Sequence, residues 1–209
     1  MSIQPSVDLL HEFGAIDIYI FDQLLKGAFD ERRRILDAGC GSGRNLPYFL
    51  RAGFDVYAAD NDRASVAAVR AVFARLAPAL SPERVQLATL DALPWDDGSM
   101  DAVICSAVLH FADDHDHFGR MVQELWRVLA PGGLFFARLA SSIGLEHRLP
   151  APSGRMRLPD GSTRFVVDEA MLEAWTKRLG GRASDPLKTT IVQAQRCMTT
   201  WVVENPRQA

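Results

Sequence analysis

Short apolar runs alternate along the chain with segments in which apolar residues recur three and four positions apart. The short runs predict buried strands and the spaced segments predict amphipathic helices. Strands are predicted around Ile35-Leu36, at 55–59, 84–89 and 101–106, and after Pro131-Gly132-Gly133. Helices are predicted at 13–26, 46–51 and 62–76, and from Asp113-Asp114 to Pro131. Alternating strands and helices indicate an α/β fold with a parallel sheet and right-handed crossovers.

The periodicity lapses after residue 140 and returns near the C-terminus. Residues 141–167 contain a predicted small hairpin, 156–158 with 164–166, and four arginines. These are Arg148, Arg155, Arg157 and Arg164. A helix at 168–179 and strands at 183–192 and 196–203 follow. The arginines are interpreted as solvated surface residues, with a cationic wall beside a substrate as the alternative.

Length and composition limit the class of protein. The chain has 209 residues, 48% of them hydrophobic, and a net charge of −3, which predicts one domain and disfavours a dedicated nucleic-acid binder. No apolar run reaches the length of a membrane span, and the N-terminus lacks the pattern of a signal peptide. Three scattered cysteines indicate neither a disulfide framework nor a metal site, and favour reduced thiols in a cytoplasm.

One stretch, Arg34 to Asn45, has the pattern of a nucleotide-binding corner. A buried strand ends at Asp37, and Gly39, Gly41 and Gly43 follow before a helix begins. Glycine lets backbone N–H groups approach a ligand closely, and a helix N-terminus favours negative charge. The dinucleotide fingerprint places its third glycine one position later, where this chain has Arg44.

Asp60 follows the second predicted strand, 23 residues after Asp37. Ligands of parallel α/β sheets lie at the carboxyl ends of the strands, so Asp60 is expected beside the glycine corner. A carboxylate there can accept two hydrogen bonds from ribose hydroxyls. Dinucleotide-binding proteins use the same feature, so Asp60 does not choose the cofactor. A helix N-cap is the alternative role.

The G-x-G-x-G spacing after Asp37, with Asp60 and Asp91 at the next two strand ends, resembles class I S-adenosylmethionine-dependent methyltransferases. Arg127 to Gly133, RVLAPGG, is similar to an architectural marker of that family. The Gly-Arg-Asn corner is also similar locally to tellurite-resistance-type methyltransferases. The resemblance implies a Rossmann-like, doubly wound, mostly parallel seven-stranded sheet with a C-terminal antiparallel hairpin. It also divides the single domain, 1–209, into an N-terminal helical cap (1–33), a cofactor-binding core (34–140), an insertion over the acceptor side (141–167), and a C-terminal helix and strands (168–209).

The resemblance implies S-adenosyl-L-methionine as cofactor and a set of residues that bind it. Asp91 would bind the adenine amine and the Ala92 N–H the ring, while Ser106 and Ala107 would border the methionine part. The expected cofactor-binding set is Asp37, Gly39, Cys40, Gly41, Gly43, Asn45, Asp60, Asn61, Asp91, Ala92, Ser106 and Ala107.

On the acceptor side, the N-terminal helix is expected either to pack on the sheet or to cover the cofactor. In the second case Tyr19, Phe21 and Asp22 are candidate substrate contacts, and Arg138 is a further candidate. His110 follows the fourth strand and is a candidate general base, because histidine titrates near neutral pH; a packed loop residue is the alternative. No metal is expected, since His115 and His117 do not share a helix face.

Three functions remain open at this point. The first is methyl transfer from S-adenosylmethionine to a small-molecule acceptor by in-line displacement. The second is a regulatory protein that binds the cofactor or S-adenosylhomocysteine without catalysis. The third is a nicotinamide-dependent oxidoreductase, which Arg44 disfavours. Neither nucleic acid nor membrane is an expected partner, and the oligomeric state is left open.

Overall fold

The computed structural model describes residues 8–207, so the ends of the predicted N-terminal cap and C-terminal segment, 1–7 and 208–209, lie outside the described residues. The helices are α1 Leu9–Phe13, α2 Ile18–Leu25, α3 Pro47–Arg51, α4 Arg63–Leu76, α5 His115–Arg127 and α6 Glu169–Arg178. The strands are β1 Arg34–Ala38, β2 Asp55–Asp60, β3 Val85–Leu87, β4 Met100–Ser106, β5 Leu129–Ala140, β6 Gly154–Arg157, β7 Thr163–Val166, β8 Arg182–Ala183, β9 Lys188–Val192 and β10 Arg196–Glu204.

The central sheet has the order β3-β2-β1-β4-β5-β10-β8. The first five strands of this order are parallel, and β10 runs antiparallel to β5 and β8. The strand order reverses between β1 and β4, whose carboxyl ends therefore border a crevice in which ligands of such sheets bind. The predicted Rossmann-like, mostly parallel sheet with an antiparallel C-terminal end is confirmed, but the described sheet has eight strands rather than the predicted seven, because β8 and β9 both pair with β10.

Helices cover both faces of the sheet, as expected for strands that are apolar on both sides. One apolar cluster joins α5 and α6 to the sheet around Phe118, Trp175 and Trp201. The other joins α2, α3 and α4 around Phe49 and Phe73. Together the two clusters hold the strand ends in fixed register, which gives the crevice its rigid base.

Three predicted elements have different boundaries in the structure. The helix predicted at 13–26 begins only at Ile18, as α2, because Gly14 with φ of 63° ends a separate short helix, α1, just before it. Helix α5 stops at Arg127, before the Pro131-Gly132-Gly133 turn, and that turn is part of β5. The backbone of β5 already pairs at Leu129 with Met100 of β4, so tertiary pairing overrides the local helix-stop signal.

The strand predicted at 183–192 is interrupted. Its two ends, β8 and β9, both pair with β10, but the segment between them contains Pro186 and leaves the sheet. Proline removes a backbone donor and disfavours a strand interior. At this break Asp185 meets Lys26 of α2 at 2.6 Å, so the interruption contributes an ion pair that holds the N-terminal helix.

The hairpin predicted in the insertion is present as β6 and β7. Phe165 of β7 is fully buried and stacks on Phe118 of α5, with ring centres 5.0 Å apart. The hairpin is therefore anchored next to the turn that follows β4. Arg155 and Arg157 of β6 are exposed, as the surface interpretation expected, whereas Arg164 of β7 is partly buried.

Replacement of Asp168 by alanine is expected to destabilise the protein by about 1 kcal/mol, the usual value of an N-cap. Its carboxylate accepts a hydrogen bond of 2.7 Å from the Met171 N–H at the start of α6. Urea denaturation measures the change. Asp168→Asn is the control, since its amide oxygen can still accept the bond and should restore most of the stability.

Among the described residues, no helix is both long and apolar enough to cross a membrane.

Candidate functional site

A cleft of about 800 Å³ opens at the carboxyl ends of β1, β2 and β4. We call it the edge cleft. It is lined by Gly39, Cys40, Gly41, Ser42, Arg44, Asn45, Asp60, Asn61, Thr89, Leu90, Asp91, Ser106, Ala107, Val108, Phe111, His117 and Met121. Its volume falls in the range of small-molecule and cofactor sites. Nine of the twelve residues predicted to bind the cofactor line it, and Asp37, Gly43 and Ala92 do not.

The three glycines of the corner have different roles. All have positive φ, between 51° and 80°. A Cβ on Gly39 would meet Val108 at 2.4 Å, and a Cβ on Gly43 would meet Val69 of α4 at 3.1 Å, so these two positions allow close packing. A Cβ on Gly41 would meet no protein atom within 4 Å. Gly41 therefore leaves room for a ligand rather than for another part of the chain.

Asp37 lies beneath the corner and is buried, with 1% of its surface exposed. Its Oδ2 atom has no hydrogen-bond partner among the described residues. Burial raises the pKa of Asp37 to about 7, with Arg44 and the Asn45 side chain opposing that shift. A buried carboxyl with a free oxygen can accept a hydrogen bond from a cationic group above the corner, and such a group would favour its ionised form.

Both oxygens of the Asp60 carboxylate accept hydrogen bonds from backbone N–H groups, which fix the orientation of the side chain. Its Oδ2 accepts a hydrogen bond of 2.8 Å from the Gly41 N–H, and its Oδ1 accepts one of 2.9 Å from the Asp62 N–H. Each carboxylate oxygen has more than one acceptor site, so both can still accept from a ligand. The alternative role, N-cap of α4, belongs to Asp62, whose carboxylate accepts from Ala64 and Ser65.

Asp91 lines the opposite side of the edge cleft. A hydrogen bond from the Thr89 side chain lowers its pKa, so it is a carboxylate at neutral pH. The Arg120 Nε lies 3.8 Å from its Oδ2. The Ala92 N–H donates to the Thr89 carbonyl at 3.2 Å. The predicted contact of this N–H with a ligand stays a prediction.

Sequence reasoning missed a buried ionic cluster above the corner. Asp17, just before α2, has a side chain that is 2% exposed. Its Oδ2 lies 3.3 Å from Arg44, 3.4 Å from Arg138 and 3.0 Å from the Ser106 hydroxyl, which donates to it. The sequence around Asp17 shows only the pattern of a helix N-cap. Its partners Arg44, Arg138 and Ser106 lie 27, 121 and 89 residues away, so no local pattern connects them to Asp17.

The residues of the N-terminal helix predicted as substrate contacts line a second cavity, separate from the edge cleft, and their side chains have different partners. The Tyr19 hydroxyl forms a hydrogen bond with the Thr190 hydroxyl, and the Tyr19 ring centre lies 5.2 Å from the guanidinium carbon of Arg138. Phe21 packs edge-on against Phe13, with ring centres 4.9 Å apart, and does not line the edge cleft. Asp22 pairs with Lys26 and Lys188. Only Tyr19 touches the cluster around Arg138.

His110 is 6% exposed and lies in a short turn, Leu109–Phe111, that packs on β5. Its Nδ1 atom has no hydrogen-bond partner among the described residues. Burial lowers its pKa to about 4, helped by the positive charges of Arg164 and Arg138. The imidazole is therefore neutral at pH 7, and its pKa is too low for an effective general base near neutral pH.

This pKa predicts a loss of stability in acid. Unfolded His110 titrates near pH 6.5 and folded His110 near pH 4, so the unfolded state binds more protons between these values. Stability is complete above pH 6.5 and falls as the pH drops towards 4, by roughly 1–3 kcal/mol from this residue. Urea denaturation at pH 7.5 and 4.5 measures the fall, which His110→Gln should reduce. An equal reduction in His147→Gln, at an exposed histidine, would contradict the assignment to His110.

The buried cysteine thiols are protonated, and His117 has a carboxylate neighbour. Burial raises the pKa of the thiols of Cys40 and Cys105, so both stay protonated at neutral pH. His117 lines the edge cleft, and its Nδ1 lies 3.2 Å from Asp113. Within residues 8–207, no three His, Cys, Asp or Glu side chains are grouped to hold a metal ion.

Comparison with known proteins identifies this architecture. A family model described as a methyltransferase domain matches residues 36–137, from β1 to β5. Residues 36–137 therefore match the class I S-adenosylmethionine-dependent methyltransferases. The matched segment contains the glycine corner, Asp60, Asp91 and both sides of the strand-order reversal. S-adenosylmethionine is the cofactor of this family, as the resemblance implied.

Curated relatives agree with the family. An uncharacterized methyltransferase of Mycobacterium tuberculosis is 35% identical over 101 residues, which cover 48% of this chain and 37% of the relative. A malonyl-[acyl-carrier protein] O-methyltransferase of Pseudescherichia vulneris is 30% identical over 165 residues, which cover 75% of this chain and 60% of the relative. The chain thus spans less than two thirds of the length of these relatives.

A solved structure confirms the fold. The 1,6-didemethyltoxoflavin N1-methyltransferase of Burkholderia thailandensis, with its substrate and S-adenosylhomocysteine bound, has a TM-score of 0.68 and 18% identity. The superposition covers 95% of this chain and 81% of that one. The likeness therefore extends beyond the matched segment, 36–137, to most of the chain.

Proposed function

We propose that this methyltransferase transfers the methyl group of S-adenosylmethionine to a small-molecule acceptor. The observation that carries the proposal is the edge cleft, in which Gly41, Asp60 and Asp91 of three successive strand ends line one cavity of about 800 Å³. Two features fit the cofactor. No protein atom occupies the space beside Gly41, and no described protein group donates a hydrogen bond to the Asp37 Oδ2 atom, so a ligand has both room and an acceptor.

In the proposed complex, Asp60 accepts the hydrogen bonds of the ribose hydroxyls and Asp91 accepts that of the adenine amine. Asn61 borders the ribose, and Ser106 and Ala107 border the methionine part. When bound, S-adenosylmethionine supplies an activated methyl group on a sulfonium for in-line displacement. The chain's own residues align the acceptor and exclude water, and such alignment can be worth ~7–11 kcal/mol in the best intramolecular cases.

The acceptor side is assigned to Tyr19, Arg138 and His110. Neutral His110 can donate or accept a hydrogen bond through Nδ1, but its pKa of about 4 leaves it ineffective as a proton acceptor at pH 7. The proposed transfer therefore suits an acceptor atom that is already unprotonated. Phe21 and Asp22, which pack against Phe13 and the lysines, are proposed to hold α2 in place.

A methyl-transfer assay tests the proposal. The protein is incubated with S-adenosylmethionine and a panel of small thiols, phenols, amines and carboxylic acids, and S-adenosylhomocysteine formation is followed. Turnover with an acceptor, above the rate without one, supports the enzyme. Tight binding of S-adenosylhomocysteine without turnover across the panel would favour the regulatory binding protein instead.

A further inference from the structure

Three buried side-chain atoms on the elements around β5 lack a hydrogen-bond partner among the described residues. They are His110 Nδ1, Arg138 Nε and Thr200 Oγ1. In the sheet, Arg138 of β5 lies directly opposite Thr200 of β10 and opposite Ser106 of β4. A buried polar atom without a hydrogen-bond partner destabilises the folded protein. Three such atoms around Arg138 indicate a place where the protein's hydrogen bonds are completed by something other than the protein.

Around Arg138, positively charged side chains outnumber the carboxylates that pair with them. Arg44 and Arg138 share the single carboxylate of Asp17. Arg164 lies with its guanidinium carbon 5.0 Å from the ring centre of Phe111, which lines the edge cleft. Within residues 8–207, no carboxylate oxygen comes within ion-pair distance of Arg164, whose one hydrogen bond goes to its neighbour's carbonyl. A cationic cofactor in the edge cleft would increase the positive excess.

Arg164 and Arg138 lie on different strands, and both affect the imidazole of His110. Both lower the pKa of His110, Arg164 from the hairpin strand β7 and Arg138 from β5. Few carboxylates among the described residues could neutralise these two guanidinium groups. Asp17 is already shared with Arg44, and Asp160 lies on the exposed hairpin turn. Aromatic rings border both cations, Phe111 beside Arg164 and Tyr19 beside Arg138. The surroundings are therefore cationic and partly apolar.

We propose that the acceptor carries a carboxylate on an apolar body, and that Arg164 and Arg138 bind this carboxylate at the end of the edge cleft. The inference rests on the proposed function, since it names the substrate class of the same site. A guanidinium binds a carboxylate through two parallel hydrogen bonds, and the ring of Phe111, which lines the edge cleft beside Arg164, offers an apolar surface to the body of the acceptor. Arg164 selects the substrate, because its guanidinium lies against Phe111, which lines the edge cleft.

The test uses the protein saturated with S-adenosylhomocysteine, and the probes are benzoate, malonate, benzamide and inorganic phosphate at equal ionic strength. Thermal shift and calorimetry measure binding. We expect benzoate or malonate to stabilise the complex while benzamide does not. Arg164→Gln should weaken carboxylate binding by at least about tenfold, the loss of one charge-assisted hydrogen bond, and should leave S-adenosylhomocysteine affinity unchanged. Arg157→Gln, an exposed arginine on the same hairpin, should behave as wild type.

Several outcomes overturn the inference. These are no stabilisation by either carboxylate, equal stabilisation by benzamide, stronger binding of phosphate than of both carboxylates, and carboxylate binding that survives in Arg164→Gln or is lost equally in Arg157→Gln. Failure of wild type to bind S-adenosylhomocysteine would instead contradict the proposed function. The two failures are therefore separate, because carboxylate binding is measured on protein whose cofactor binding is already established.

Discussion

Asp60→Ala is expected to weaken the binding of S-adenosylhomocysteine by roughly 10²- to 10⁴-fold. Two ribose hydroxyls would lose a charged acceptor, and each such hydrogen bond is worth about 1.5–3 kcal/mol. The same carboxylate also fixes the Gly41 and Asp62 N–H groups at 2.8 and 2.9 Å, so the corner itself loosens. Isothermal titration calorimetry of the wild type and the variant measures the effect, with NADH titrated in parallel.

Two further variants sharpen this experiment. Asp60→Asn keeps one acceptor oxygen and the shape of the side chain, so its affinity should lie between those of wild type and alanine. Asp96→Ala removes an exposed carboxylate outside the edge cleft and should leave binding unchanged. Wild-type preference for NADH over S-adenosylhomocysteine would revive the nicotinamide-dependent hypothesis, and equal affinities of wild type and Asp60→Ala would remove Asp60 from the ribose site.

Gly41→Val is expected to abolish detectable binding of S-adenosylhomocysteine while the protein stays folded. The position has φ of 51°, and a Cβ there would meet no protein atom within 4 Å. The new side chain therefore projects into the space assigned to the ligand. The positive φ costs stability, on the order of 1–3 kcal/mol. Calorimetry measures the binding and urea denaturation measures the cost in stability.

Gly53→Val separates the steric effect from the backbone effect. Gly53 has φ of 78°, its Cβ would also meet no atom within 4 Å, and it lies after α3 outside the edge cleft. Its substitution should cost similar stability and leave ligand affinity within about twofold of wild type. If both valine variants lose binding to the same extent, the loss at Gly41 reflects backbone strain, and the open space is not the ligand site.

The sequence predicted the cofactor side of this protein better than the acceptor side. Asp37, Asp60 and Asp91 each follow a strand that apolar runs reveal, and the rule that parallel strands end at one edge places them together. The structure brings Asp60 and Asp91 to one cleft with Asp37 beneath. Such residues are predictable because each lies within a few positions of a local signal.

The acceptor side depends on residues that no local pattern connects. Asp17 joins Arg44, Ser106 and Arg138 from three distant elements, and Arg164 reaches Phe111 only because Phe165 anchors the hairpin on α5. His110 was predicted as a candidate base from the intrinsic pKa of histidine. Its burial beside two arginines reverses that expectation, and burial is a property of the packed molecule.

The sequence by itself determined the family, the parallel sheet and the glycine corner, because strand periodicity and a short motif encode them locally. The tertiary structure decided where α5 ends and which charged groups meet above the corner. These outcomes depend on pairing and burial between residues that lie tens of positions apart, and the free energies of such contacts exceed local propensities.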